Sequence, residues 1–229
     1  FIVTRYPDPL RSWIRRRVIV QTMRLTSTTF ADGEKIPGRC AFAVPDPDTH
    51  ISFSDNRNPH LAWDDVPDGV QSFALLCVDP DAPSVGDDVN QEGRTVPADL
   101  PRADFVHWVL IDIPADVRSI EEGEYSSGGV VPRGKTGAAG RPREGVNDYT
   151  GWFSGDAEME GMYKGYDGPC PPWNDELPHR YVFTVYALDV DECPVSGDFT
   201  AADVKEAIEG HILDQAQLMG IYTLNPDVA

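Results

Sequence analysis

The stretch "FVHWVLIDI", residues 105–113, decides the fold. Strand alternation puts Phe105, His107, Val109, Ile111 and Ile113 on one face and Val106, Trp108, Leu110 and Asp112 on the other. Both faces are largely apolar, which fits a strand covered on both sides in a packed sheet. Working outward, residues 39–44, 72–78 and 181–188 form similar runs rich in β-branched and aromatic side chains. Turn-forming stretches separate them: "VPDPD", "DDVPDG", "PSVGDD" and "GYDGPCPP". Twenty Gly and twenty Pro suit short strands joined by turns. No strand–helix alternation is present, so the expected fold is all-β with minor helices, an antiparallel β-sandwich.

Two segments depart from that pattern. Thr200-Ala201-Ala202-Asp203 reads as a capping box with Asp in the usual Glu position, and Val204, Ala207, Ile208 and Ile212 follow at helical spacing. Gly210 is expected to divide this stretch into two short helices packed on the sandwich. Residues 114–165 are Gly-rich and polar, with Arg133, Lys135, Arg141 and Arg143 close together. Such a segment is expected to bury little and to form a long mobile surface loop, with a lid or partner contact as the functional alternative.

The formal charge is −19, from 26 Asp and 12 Glu against 4 Lys and 15 Arg. This surface repels nucleic acid and anionic membrane, and no apolar run is long enough for a transmembrane helix. Abundant Asp with scarce Lys fits a salt-rich cytoplasm, where high ionic strength screens self-repulsion. On that reading the unfolding midpoint rises between low and molar KCl; an unchanged midpoint would remove the halophilic interpretation. Residues 1–22 carry five Arg and one Asp, so the remainder is −23. Met23 opens a natural-looking start, and residues 1–22 are read as a basic N-terminal extension outside a single domain at 23–229. Cys40, Cys77, Cys170 and Cys193 form no CxxC pair, so a zinc ribbon is excluded and reduced thiols in a cytoplasmic protein are expected.

Three groups carry chemistry: Asp79 and Asp81 in "DPDAP", His107, and His179-Arg180-Tyr181 after the Pro-rich "GPCPP". Asp–Pro turns supply a plain reading of the acids, as core satisfaction does for His107. The sharper reading has the carboxylates behind two imidazoles, each accepting one ring N–H and leaving the other nitrogen to donate to an anion. Prolines 83, 169, 171 and 172 would stiffen the walls. Arg180, one residue out of phase with Tyr181, is expected to pair with an acid. No HExxH motif and no Ser or Cys nucleophile motif occurs; Cys170 is the nearest nucleophile candidate.

"DPDAP", "HWVLIDIP", "GYDGPCPP" with "HRYVFTVYALD", and "GHILDQAQLMGIY" occur in that order. Together they resemble the phosphatidylethanolamine-binding protein family, most closely its bacterial and archaeal Raf-kinase-inhibitor-like branch. "NPHLAWDDVPDGVQSFAL" is similar to the stretch before the first motif, and the likeness covers about residues 23 to 225. The resemblance implies a β-sandwich with a small pocket for phosphate-like anions, without a cofactor. It implies ligand contacts from Asp79, Asp81, Pro83, His107, Pro171, Pro172, His179, Tyr181 and Tyr222. It implies a regulatory binding protein. A metal- or His-dependent hydrolase and a kinase or protease inhibitor remain as alternatives. The branch also implies a protein partner or a homodimer as states to consider. "WNDELP" replaces the short Gly-containing turn usual before the His-Arg-Tyr segment. There Trp173 is expected to narrow the mouth, and Asp175 and Glu176 to repel an approaching anion.

Overall fold

The computed structural model describes residues 22–137 and 140–228. Apart from Thr22, the basic stretch expected to be an extension lies outside the described residues. The elements in order are β1 (Arg24–Thr26), β2 (Ala43–Asp46), β3 (His50–Phe53), β4 (Leu61–Asp64), β5 (Ser72–Pro83), β6 (Arg102–Pro114), β7 (Ser119–Ile120), β8 (Gly134–Lys135), β9 (Arg143–Glu144), α1 (Tyr149–Trp152), β10 (Met162–Tyr163), β11 (His179–Leu188), α2 (Ala201–Ala207) and β12 (Ile212–Tyr222).

An antiparallel five-stranded sheet in the order β12-β11-β5-β6-β9 forms the body, and an antiparallel β1-β4-β7 sheet accompanies it. Phe73, Leu75 and Cys77 of β5, Trp108 and Leu110 of β6 and Tyr181, Phe183 and Val185 of β11 join Leu25, Leu61 and Trp63 of the small sheet in the main core. The opposite face, with Ala74, Leu76, Val109 and Ile111, is covered by Phe199, Val204 and Ile208. The β-rich sandwich expected from the sequence is the fold, and β6 is covered on both faces.

Simple alternation fails along β6, and the reason is bulging. Pairing to β5 runs Cys77↔Trp108 and then Val78↔Val106, so His107 is an extra residue. A second slip separates Leu75↔Leu110 from Phe73↔Ile113. It contains Asp112 at φ 60°, whose carboxylate accepts the Cys193 backbone N–H at 2.7 Å and also pairs with Arg143. Each bulge flips the following side chains to the other face. Ile113 therefore joins Trp108 and Leu110 rather than Val109 and Ile111. His107 is likewise set with the inner side chains instead of the Val109 face.

The strand carrying "DPDAP" also differs from expectation. It does not end at Val78 but continues through Pro83, with a further bulge between Asp79 and Ala82. The capping box forms: the Asp203 backbone N–H and the Thr200 hydroxyl meet at 3.4 Å, and the Thr200 N–H donates to the Asp203 carboxylate at 2.8 Å. The helix it starts is the only one there. Gly210, at φ 84°, turns the chain into β12, so the second expected helix is a strand whose Ala216, Leu218 and Tyr222 face the core.

Residues 114–165 bury more than a mobile polar loop would. Tyr149, Met159 and Tyr163 pack with Phe42 in a third cluster, and β9 extends the main sheet beside β6. The composition hid this because a few scattered apolar side chains, Ile120, Tyr149, Met159 and Tyr163, are spaced among glycines and polar residues.

Candidate functional site

The ends of β5, β6 and β11 converge on a cavity of about 360 Å³. Asp79, Pro83, His107, Pro171, Pro172, His179 and Tyr181 line it, so seven of the nine residues implied by the resemblance meet in one place. Asp81 and Tyr222 do not. Asp81 sits in the β5 bulge, turned outward, and binds Arg180 in a bidentate pair at 2.8 and 2.7 Å. Burial opposes ionisation of Asp81, but the hydrogen bonds and charge of Arg180 outweigh it and hold the carboxyl below its usual range. Arg180 is thus paired with an acid, as its phase on the strand implied. Tyr222, opposite His179 on β12, donates its hydroxyl to the Ala43 carbonyl at 2.9 Å and belongs to the core.

The arrangement of acids behind two imidazoles needs correction at both histidines. His179 is 1% exposed and gives both nitrogens to carboxylates: Nδ1 to Asp79 at 2.7 Å and Nε2 to Asp175 at 3.1 Å. No nitrogen is left to donate outward. Burial by itself would lower its pKa, yet the hydrogen bonds to Asp175 and Asp79 outweigh burial and raise it to about 9. The ring is therefore an imidazolium at neutral pH. Asp175 in turn binds Arg102 at 2.6 and 3.0 Å. The chain Asp79–His179–Asp175–Arg102 alternates in sign, so each buried charge has an opposite neighbour. Asp175 is a buried member of that chain and not an outlying repulsive charge. Glu176 turns to the Ala98 backbone N–H at 2.9 Å. Trp173 does not line the cavity; it stacks on His50 with ring centroids 3.8 Å apart and planes 7° from parallel.

His107 is oriented by a main-chain carbonyl and not by an acid. Its Nδ1 lies 2.8 Å from the Asp167 carbonyl oxygen, which only accepts, so Nδ1 carries the proton and Nε2 presents a lone pair. Burial lowers the pKa of this ring despite the attraction of Asp79, which keeps the imidazole neutral. Tyr181 meets His107 edge-to-face at 5.0 Å. Its hydroxyl is buried without a hydrogen-bond partner. Burial and the charge of Asp79 push this phenol well above its ordinary pKa, so it remains an O–H donor. A buried, unsatisfied donor in a cavity wall is costly unless something fills the cavity and accepts from it.

Sequence reasoning missed the support beneath His107. Asp167 accepts Asn56 Nδ2 at 2.7 Å and Asn147 Nδ2 at 2.8 Å, and pairs with Lys135 at 3.2 Å. Asn56 also accepts the Gly168 N–H at 2.8 Å. A Cβ on Gly168 would lie 2.1 Å from the Cys40 carbonyl oxygen, which explains glycine after Asp167. The only sequence signal was an Asp inside "GYDGP", indistinguishable from a turn residue. Lys135 looked like part of a surface basic patch.

The donor set does not serve a metal. Among the described residues no group of three His, Cys, Asp or Glu is placed to hold an ion. His179 has spent both nitrogens and Asp81 points away. Cys170 lines the cavity, but burial pushes its thiol up to about 12, far from a thiolate nucleophile at neutral pH. Among the described residues no helix is long and apolar enough to cross a membrane.

A sequence model described as phosphatidylethanolamine-binding protein matches residues 26–223. The UPF0098 protein YbhB of Escherichia coli is 31% identical over 201 residues, covering 88% of this chain and 100% of its own. A UPF0098 protein of Methanothermobacter thermautotrophicus is 34% identical over 200 residues, covering 87% and 98%. Among solved structures, YbcL of Escherichia coli, described as a new member of the mammalian PEBP family, matches with a TM-score of 0.61 at 25% identity over 88% of this chain and 98% of its own. A chlamydial homolog of the family matches with a TM-score of 0.60 at 27% identity over 88% and 97%. On these likenesses, and on the order of the motifs that meet at the cavity, the chain belongs to the phosphatidylethanolamine-binding protein family.

Proposed function

We propose that this protein binds a small phosphoryl-type anion at the Asp79–His107–Tyr181 corner of the cavity, as a regulatory and non-catalytic module. The observation that carries this reading is the buried Tyr181 hydroxyl, which has no partner within the protein. A phosphoryl oxygen would accept from it. No Lys or Arg lines the cavity, while Asp79 does. A dianion would meet that carboxylate with no cation to offset it, since the His179 imidazolium is spent on Asp79 and Asp175. The ligand must therefore bring one proton, shared with Asp79 as P–OH or taken up by Nε2 of His107. Either placement gives a complex with a single proton between ligand and protein. All four cysteines are free, which supports a reducing compartment.

A phosphate monoester loses its second proton near pH 6. Binding above that pH requires proton uptake, so the association constant for O-phosphoethanolamine should fall about tenfold per pH unit between pH 7 and 9. Calorimetric titration across that range, in buffers of differing ionisation enthalpy, measures the uptake directly. Tyr181→Phe should weaken binding by about tenfold or more, the usual worth of a hydrogen bond to a charged group. Equal affinity for wild type and Tyr181→Phe would remove this site as the phosphoryl corner.

A further inference from the structure

The phosphoryl corner occupies one end of a larger space. A bare phosphate has five heavy atoms, and at roughly 20–30 Å³ each it fills about a third of the 360 Å³. The remaining wall is apolar and aromatic: Phe53, Phe105, Tyr149, Trp152, Phe153 and Met159 line it. Four of these come from residues 149–159, outside every motif of the sequence. Their rings are already organised. Phe42 stacks on Tyr149 at 4.5 Å, Tyr149 on Phe153 at 5.6 Å, and Phe42 meets Phe53 edge-on at 5.5 Å. Their shared packing fixes the shape of the wall before a ligand arrives.

Two of the lining side chains stand at the rim with their apolar surface in water. Phe53 is 57% exposed and Trp152 is 52% exposed. Large aromatics left open beside an apolar cavity mark a surface that an occupant covers. No Lys or Arg lines this space, and the His179 imidazolium is already held between Asp79 and Asp175, which leaves the acids Asp79 within and Asp156 near Met159. Asp156 uses Oδ1 to accept the backbone N–H groups of Glu158 and Met159 at 2.8 and 2.9 Å, so it is fixed in place. A second phosphoryl or carboxylate group on the ligand would meet these acids unpaired.

We infer that the 149–159 wall selects an organic monoester, one phosphoryl head carrying a compact uncharged apolar arm, over inorganic phosphate and over diphosphates. The inference rests on the phosphoryl reading above and adds the other half of the ligand. The arm lies against Trp152, Phe153 and Met159 and covers the rim aromatics, while the head takes the Tyr181 hydroxyl. The segment that composition marks as a loop is the specificity wall of the cavity.

The test is calorimetric titration of the full chain with phenyl phosphate, inorganic phosphate, phenyl diphosphate and phenol. Phenyl phosphate should bind about fifty-fold tighter than inorganic phosphate, the factor expected from burying roughly 100 Å² of apolar surface at about 25 cal/mol per Å². Phenyl diphosphate should bind more weakly than phenyl phosphate. In the double variant Phe53→Ala/Trp152→Ala, whose side chains are mostly exposed, the ratio of the two phosphate affinities should collapse to about five. Trp152 emission should shift to the blue with phenyl phosphate and stay in place with inorganic phosphate. A ratio near one in wild type, or a ratio unchanged by the double variant, overturns the inference while leaving the phosphoryl corner intact. If neither phosphate binds, or if phenol binds as tightly as phenyl phosphate, the phosphoryl reading itself fails and the monoester with it. Phe153→Leu, a smaller change within the wall, should also lower the ratio by a few-fold; an unchanged ratio in this variant likewise overturns the assignment of the wall.

Discussion

His179→Ala should destabilise the protein by about 3–5 kcal/mol, the usual cost of removing one partner from a buried ion pair. On a chain of this length that lowers the melting temperature by about 10 °C. The side chain is 1% exposed, and its loss leaves Asp79 and Asp175 buried without the imidazolium that separates them. Arg102 still answers Asp175, but nothing replaces Nδ1 at Asp79. The pH dependence gives a signature that a mere cavity would not. In wild type the folded pKa of His179 is about 9, against an ordinary value of 6.5. The stabilisation is complete below about pH 6.5 and is lost as pH rises through 9. Asp175 works in the opposite sense. Burial disfavours its charge, but His179, Arg102 and the Leu177 N–H outweigh that and depress its pKa. Its contribution is present above the ordinary carboxylate range and is lost as pH falls below it. Wild type should therefore be most stable between about pH 5 and 7 and weaken towards pH 10. In His179→Ala the alkaline decline should disappear. Urea unfolding at half-unit pH steps measures both curves. If the two proteins differ by a constant amount across pH 5–10, the imidazolium is not what holds this corner.

That contrast also separates what the sequence carries from what only the fold carries. Long apolar runs announced β5, β6 and β11 because both faces of the main sheet are covered, so almost every residue in them is apolar. The motifs announced which strand ends hold polar groups. Neither announced which way those groups point. His107 turns inward because β6 carries an extra residue at that point, and a bulge follows from the pairing partner, not from local composition. Asp79 and Asp81 look equivalent in "DPDAP", yet the bulge between Asp79 and Ala82 sends one to His179 and the other to Arg180. The 149–159 wall was illegible for another reason. Its aromatics are isolated among polar residues, and they become a surface only when Phe42, more than a hundred residues earlier, stacks on them.

Asp167→Ala should be nearly as damaging to stability and more damaging to ligand affinity. Asp167 is 1% exposed and ties four segments together: Asn56 before β4, Lys135 in β8, Asn147 before α1, and β6 through His107. Its backbone N–H donates to the His107 carbonyl at 3.0 Å while its own carbonyl holds the His107 ring. Truncating the carboxylate strands two buried amide donors and the partly buried Lys135 ammonium, which also donates to the Tyr166 carbonyl and reaches Ser126 Oγ at 3.4 Å. The expected cost is about 3 kcal/mol or more, the range for unpairing a buried charge together with its hydrogen bonds. The carboxylate ties down the segment whose main-chain carbonyl holds the His107 ring, so its loss should let that carbonyl shift, and the surviving folded fraction should bind O-phosphoethanolamine at least tenfold more weakly, with the pH slope of binding reduced. A double-mutant cycle isolates the charge. Asp167→Asn and Lys135→Met each leave a charge alone, whereas the double variant removes both. Their costs should be less than additive, with a coupling energy of about 1–3 kcal/mol, as contacting members of one network show. Additive costs would mean that Lys135 is a solvated surface cation whose distance to Asp167 carries no energy. The basic patch would then have no part in holding the site.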